Sequence, residues 1–320
     1  MVTSVAQSAK MKKRGQINVV IQSTKTTEHV HSMRTSHFTP FVQHKEYMEM
    51  MKEFEQFVGL DSMKAFIHEL YAWLYLNKQR EANGLKADKQ SLHMVFKGNP
   101  GTGKTTVARL IAKMLKEMNV LEKGHFLEVD RADLVGEYIG HTAQKTRELV
   151  NKAMGGVLFI DEAYSLARGG EKDFGKEAID TLVKLMEDKQ HGFVLILAGY
   201  PVEMENFLQL NPGLPSRFPM IVSFPNYSVN ELLDMLKQMA WKRDYQIEQS
   251  GLAYIKEVLV FAKEYHKERF SNGRFIRNFL EKAIRVQAVR LLEEDTYHKE
   301  ALLTLVKTDF SKAFHTIFLE

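Results

Sequence analysis

The sequence predicts an α/β fold: a parallel five-stranded sheet flanked by helices, followed by a small all-helical domain. Three observations predict it. Between residues 92 and 225 short apolar runs alternate with amphipathic helical stretches, the pattern of strands joined by helical crossovers. Two of those runs, Val157-Leu-Phe-Ile160 and Phe193-Val-Leu-Ile-Leu-Ala198, are apolar at every position, as strands are when helices cover both faces. After Pro225 no strand-like run recurs, and four helical segments follow.

Taken in order, residues 1 to 45 read as a poorly ordered arm. It begins with Lys10, Lys12, Lys13 and Arg14 and continues through Ser/Thr/His-rich sequence, with one strand-like alternation over 17–21. His29, His31, His37 and His44 are irregularly spaced and lack acidic partners, so they read as a solvated arm rather than a metal site. Residues 46–225 read as the α/β domain. It opens with a helical stretch over 46–83, broken at Val58-Gly59-Leu60. Asp61 or Ser62 is the expected cap of the second helix, whose apolar face holds Phe66, Ile67, Leu70, Trp73 and Leu74. Tyr71 and Trp73 read as packing residues. Strands are expected over 93–97, 125–129, 157–160, 193–198 and 220–224, with helices over 104–118, 142–153 and 174–188. Residues 226–320 read as the helical domain: Ser228-Val-Asn-Glu231 is a capping box, and further helices are expected over 252–267, 274–293 and 308–318.

The chemistry centres on Gly98-Asn99-Pro100-Gly101-Thr102-Gly103-Lys104-Thr105, a full match to G-x-x-x-x-G-K-[ST] between a predicted strand and a predicted helix. The three glycines let the backbone fold tightly enough to aim several N–H groups at a phosphate, and the following helix adds its positive end. Lys104 supplies a cation for the β- and γ-phosphates, and Thr105 a hydroxyl for Mg²⁺. The helix itself presents Val107, Leu110, Ile111, Met114, Leu115 and Met118 on one face. After the strand 157–160 come Asp161 and Glu162, at the strand end where open α/β sheets bind ligands. Asp161 is expected to hold Mg²⁺ through water, and Glu162 to orient and deprotonate an attacking water. The cofactors implied are ATP and Mg²⁺.

These motifs, with Ser216-Arg217-Phe218 and Asn272-Gly-Arg274, resemble those of the AAA+ ATPases. More narrowly, Tyr71-Ala-Trp-Leu74, Gly136-Glu-Tyr-Ile-Gly-His-Thr142, Asp161-Glu-Ala-Tyr-Ser-Leu166 and Leu197-Ala-Gly-Tyr200 resemble the CbxX/CfqX family, and within it the branch that serves spore formation. The resemblance runs from about residue 50 to the C-terminus. It implies an ATP-hydrolysing protein remodeller that assembles with itself into a ring, a hexamer, and pulls on a protein substrate. It implies that Val58 and Gly59 line an adenine pocket, that residues Gly98 to Thr106 with Asp161 hold the nucleotide, and that the C-terminal helices form a lid. Arg217 matches the arginine finger, which acts on the neighbouring subunit's γ-phosphate. Arg274 matches the lid arginine that senses the γ-phosphate. Tyr138 and Ile139 match the first pore loop, and the segment 168–175 is a second candidate loop. Where many AAA+ proteins of the wider superfamily place a polar Asn or Thr after the fourth strand, this chain reads Leu-Ala-Gly-Tyr200, which leaves the water-positioning group there unassigned.

Composition narrows the class. In 320 residues, 44% are hydrophobic and 26% charged, ordinary for a soluble globular protein, and no apolar run is long enough to cross a bilayer. With no cysteine there are no disulfides or thiolate metal sites. These features, with an N-terminus that lacks a signal-peptide apolar region, lead to a cytoplasmic expectation. The net charge of +4 comes without a long basic block or an aromatic-basic cluster. No nucleic-acid partner is expected, which sets a remodeller above two alternatives: a nucleic-acid motor on the same core and an ATP-switched scaffold with negligible turnover.

Overall fold

The structure, a computed structural model, describes residues 17–18, 44–88, 90–138, 140–168, 173–211, 213–266 and 270–319. Its elements in chain order begin with β1 (Ile17–Asn18), α1 (Lys45–Glu55), α2 (Asp61–Ala82), β2 (Met94–Gly98), α3 (Lys104–Glu117), β3 (Phe126–Val129), α4 (Arg131–Leu134), α5 (His141–Ala153) and β4 (Val157–Ile160). A 3₁₀ turn over Ala163–Ala167 leads to α6 (Gly175–Asp188), β5 (Val194–Gly199), α7 (Pro201–Gln209), α8 (Leu214–Arg217) and β6 (Met220–Phe224). The lid then comprises α9 (Val229–Trp241), β7 (Gln246–Ile247), α10 (Gln249–His266), α11 (Asn272–Glu293), α12 (Lys299–Leu303), β8 (Thr304–Leu305) and α13 (Lys307–Leu319).

The main sheet has the order β1-β6-β2-β5-β4-β3, and every pairing in it is parallel. All five expected strands form. The two-residue β1, the start of the 17–21 alternation, adds an edge by pairing Ile17 with Met220 and Asn18 with Ile221. Register decides where the chemistry lies. Lys97 of β2 is opposite Gly199 of β5, and Ile160 of β4 is opposite Leu197 of β5. The residues that leave β2, β4 and β5 therefore emerge along one edge, and these are the Gly98–Thr105 loop, Asp161-Glu162 and Tyr200.

Alternation along each strand explains why the runs are apolar throughout. Met94, Phe96, Phe159 and Ile196 enter one core, with α1, α2 and α3, while Val95, Leu158, Ile160, Leu195 and Leu197 enter another, under α6 and α7. The lid has its own core, in which Leu236, Ile276, Phe279 and Phe310 are fully buried. Its entry is the expected capping box: Glu231 N–H donates to Ser228 Oγ at 3.2 Å, and Ser228 N–H donates to Glu231 Oε2 at 2.6 Å.

Several expectations change in detail. Neither Asp61 nor Ser62 caps α2: the helix starts at Asp61 behind Leu60, whose φ of 61° makes the turn without a side-chain cap. The lid is not wholly helical, because β7 and β8 form a short parallel pair. The helices α4, α7 and α8 and the 3₁₀ turn were too short to show a period. The β2 run begins one residue late, since His93 turns its ring into the core and its Nδ1 accepts the Leu195 N–H at 2.9 Å. His29, His31 and His37 lie outside the described residues.

His93 is 2% exposed, and burial, helped by the charge of His191, pushes its imidazole from 6.5 down to about 4. The folded state thus resists a proton that the unfolded chain accepts below 6.5. Stability is retained at neutral pH and falls as pH drops from 6.5 toward 4, by about 2 kcal/mol between pH 7 and 5. Urea unfolding at the two pH values should show this loss, and His93→Gln should reduce the pH difference by a similar amount.

Candidate nucleotide-binding site

The cleft between the sheet edge and the lid is a cavity of about 380 Å³. Its floor is the loop after β2. Gly101 and Gly103 have φ of 68° and 96°, which glycine adopts without strain. A Cβ on Gly101 would lie 2.3 Å from the Ser271 carbonyl oxygen and 2.6 Å from the Arg274 nitrogen, so only glycine lets lid and loop approach this closely. Thr102 is buried, and its hydroxyl donates to the Asn99 carbonyl at 2.7 Å, closing the turn.

Lys104 begins α3 and lines the cavity with Thr105 and Thr106. Its ammonium donates to the carbonyls of Gly98 at 2.7 Å and Asn99 at 2.9 Å. Burial pulls its pKa from 10.5 down to about 8. The carboxylate of Asp161 opposes that shift, Arg274 adds to it, and Glu162 opposes it. Asp161 and Glu162 reach the same cavity from the end of β4. Glu162 stands at φ 46°, a left-handed conformation rare for this residue type, and its N–H donates to Asp161 Oδ1 at 3.0 Å. Strain of that kind, held in place by surrounding structure, clusters at functional sites.

The expected site residues do not all fall in one place. Pro100, Gly101, Gly103, Lys104, Thr105, Thr106, Asp161, Glu162 and Arg274 all line one cavity. Gly98, Asn99 and Thr102 shape its loop from behind. The cavity-lining residues at the helix break are Phe57 and Leu60, which flank Val58 and Gly59. Arg217 is elsewhere: it donates to the Gly213 carbonyl at 2.8 Å and pairs with Glu187, and its buried Nε has no hydrogen-bond partner among the described residues. Tyr138 is 64% exposed, with His141 edge-on at 5.3 Å. Ile139 and residues 169–172 lie outside the described residues.

Further residues line the cavity beside the expected ones. Arg277 enters beside Arg274, and their i, i+3 spacing on α11 could have announced it. Tyr227 lines the cleft from the strand-to-lid link, and its hydroxyl donates to the Thr102 carbonyl at 3.3 Å. Burial, with the Glu231 charge, pushes that phenol up to about 12. Tyr200 and Tyr164 meet at 5.6 Å, and Tyr164 is raised above its ordinary value by burial and by the Glu162 charge. Both belong to the family-like motifs, and the fold brings them together: Tyr164 follows β4 and Tyr200 follows β5, two neighbouring strands of the sheet.

Left-handed glycines, a partly dehydrated cation and a helix N-terminus facing one cavity fit a nucleoside triphosphate. Residues 94–226 match the ATPase family associated with various cellular activities (AAA), and residues 228–317 match the AAA lid domain. Stage V sporulation protein K of Bacillus subtilis (strain 168) is 55% identical over 306 residues, spanning 94% of this chain and 95% of that protein. The chain belongs to the AAA ATPases. This AAA ATPase is also 42% identical to the chromosomal CbxX protein of Cupriavidus necator, over 81% of its own length and 84% of the relative's. Its fold is shared with the Thermotoga maritima RuvB Holliday junction branch migration motor, with a TM-score of 0.54 at 20% identity over 82% of this chain and 71% of that one. It binds and hydrolyses ATP.

The depressed pKa of Lys104 has a measurable consequence. Phosphate oxygens favour the ammonium form, so nucleotide binding above pH 8 takes up a proton. Affinity for ATP should be flat below about pH 8 and fall above it. Calorimetric titration at pH 8.5 in buffers of different ionisation enthalpy should report the uptake, and Lys104→Arg should abolish it.

Proposed function

We propose that this AAA ATPase is a protein remodeller that works in the cytoplasm as a homo-oligomeric ring, a hexamer, and serves spore formation. The observation that carries this reading is the placement of Tyr138. It is a largely exposed aromatic on a tip bounded by Gly136 and Gly140, on a different loop from every residue of the ATP cavity. Such a ring can grip an extended polypeptide without reading its sequence. The 55% identity to a protein named for sporulation supports the cellular role.

In this reading residues 46–225 form the motor domain and 226–320 its lid. The loop amides and Lys104 hold the β- and γ-phosphates, while the Thr105 hydroxyl and Asp161, the latter through water, would hold Mg²⁺. Bound there, Mg²⁺ would supply positive charge to the phosphate oxygens during transfer of the terminal phosphoryl group to water. Val58 and Gly59, between Phe57 and Leu60, shape the adenine end. Glu162 orients the attacking water and accepts its proton, and the bond from the γ-phosphorus to the bridging oxygen breaks. Arg274 reaches the γ-phosphate from the lid. Arg217, outside its own cavity, completes the site of the next subunit. Tyr138 and Ile139 then move with the cycle and drag the substrate protein. No nucleic-acid partner belongs to this reading.

Two experiments test it. Glu162→Gln should bind ATP without turnover, and Arg217→Ala should lose turnover far more than binding. Mixing the two inactive proteins should restore part of the activity, because some interfaces unite an intact Glu162 with an intact Arg217. Mixed rings that stay inactive at every ratio would reject the role in trans. Tyr138→Ala should assemble and keep basal hydrolysis within about twofold, since it touches nothing in the cavity, yet fail to support sporulation in a strain lacking the wild-type protein. Full complementation would remove Tyr138 as the grip.

A further inference from the structure

The motif Asn272-Gly-Arg274 contains a residue that the proposed reaction does not use. Asn272 is fully buried and stands at φ 44°, a left-handed position that asparagine tolerates better than most residues. Its Oδ1 accepts the Tyr227 N–H at 3.0 Å. Its Nδ2 faces three acceptors: Asn226 Oδ1 at 2.8 Å, the Phe270 carbonyl at 2.9 Å and the Pro100 carbonyl at 3.3 Å. Asn226 in turn accepts from Asn99 Nδ2 at 3.0 Å. The next residue repeats the link through its backbone, with Gly273 N–H donating to the Gly101 carbonyl at 3.1 Å.

Two consecutive carbonyls of the phosphate-binding loop are thus held by two consecutive residues at the start of the lid helix α11. Each peptide unit is a rigid plane, so the Pro100 carbonyl turns with the Gly101 N–H, and the Gly101 carbonyl with the Thr102 N–H. Whatever rotates these N–H groups toward or away from a phosphate swings the carbonyls that Asn272 and Gly273 grip. Arg274 follows immediately and lines the cavity.

We propose that Asn272 is a positioning residue that clamps the lid to the phosphate-binding loop and thereby places Arg274 on the γ-phosphate. It passes the state of the loop to the lid. The inference rests on the reading of Arg274 as the γ-phosphate contact.

The test is steady-state ATP hydrolysis by the full chain. Asn272→Gly keeps the positive φ and removes every side-chain bond, while Asn272→Asp keeps the size and the acceptor for Tyr227 but removes the donors. Each should remain folded by circular dichroism and lower kcat about tenfold, the loss also expected of Arg274→Ala. The decisive comparison is the double variant Asn272→Gly with Arg274→Ala, which should be no slower than Arg274→Ala alone, because a misplaced arginine and a missing one are the same defect. Losses that multiply, or an Asn272 variant with wild-type turnover, would overturn the clamp while leaving Arg274 in its role. Wild-type turnover by Arg274→Ala alone would instead reject the sensor reading and the clamp with it. If Asn272→Gly does not fold, Asn272→Asp combined with Arg274→Ala decides. Failure of both to fold would make Asn272 a purely structural residue.

Discussion

The architecture depends on a loop of backbone that must turn its N–H groups toward an anion and its carbonyls away from it. A peptide cannot hide one end without presenting the other, so every carbonyl turned outward needs a donor. Here the donors are supplied by functional groups. Lys104 takes the carbonyls of Gly98 and Asn99, the Thr102 hydroxyl also reaches that of Asn99, Tyr227 reaches that of Thr102, and the lid takes those of Pro100 and Gly101. The loop is therefore a junction at which cation, sheet and lid are joined by hydrogen bonds.

A second chain of contacts leads from the catalytic edge toward Tyr138. Glu162 is followed by the 3₁₀ turn over Ala163–Ala167, whose Ser165 carbonyl accepts from Arg131 at 2.7 Å. The same guanidinium holds Asp173 through its other terminal nitrogen, Nη2, which donates to Oδ1 at 2.8 Å and to Oδ2 at 2.6 Å. Arg131 opens α4, and that helix runs directly into the segment bearing Tyr138. One arginine thus ties the residues after Glu162, the end of the 168–175 segment and the base of the Tyr138 tip.

Much of the fold was legible because its signals are local. The strand Met220–Phe224 and the strand Val157–Ile160 lie where their apolar runs lie, and α3 and α6 fall within a residue of their periodic stretches. The phosphate loop was legible because its chemistry demands glycine, lysine and threonine at fixed spacing. Other features depend on contacts distant in sequence. The left-handed Leu60 replaces a side-chain cap that local reasoning assigned to Asp61 or Ser62, since the break between α1 and α2 is shaped by the lid: a Cβ on Gly59 would collide with Glu231 Oε1 at 2.3 Å. Tyr200 and Tyr164 enter the cavity through the register of β4 against β5. Arg277 was the exception, readable from helical spacing once Arg274 had been identified.

Arg274 and Arg217 stand in different places, one inside the cavity and one outside it. Arg274 and Lys104 share one cavity, so a single subunit contains both of the cations that the proposed function assigns to the phosphates. Arg217 is held at the end of α8 by Gly213 and Glu187, on a surface that its own cavity does not include. Its pairing with the exposed Glu187 is weak in water, so exchanging that partner for a phosphate costs little. Phosphoryl transfer is limited by charge on the terminal oxygens, and an arginine delivered there is worth orders of magnitude in rate but little in ground-state affinity. Nucleotide binding is then a property of the single chain, whereas fast turnover, in the proposed ring, is a property of two chains in contact. In the proposed ring this division would let the motor hold ATP while dissociated and hydrolyse it fast only when assembled.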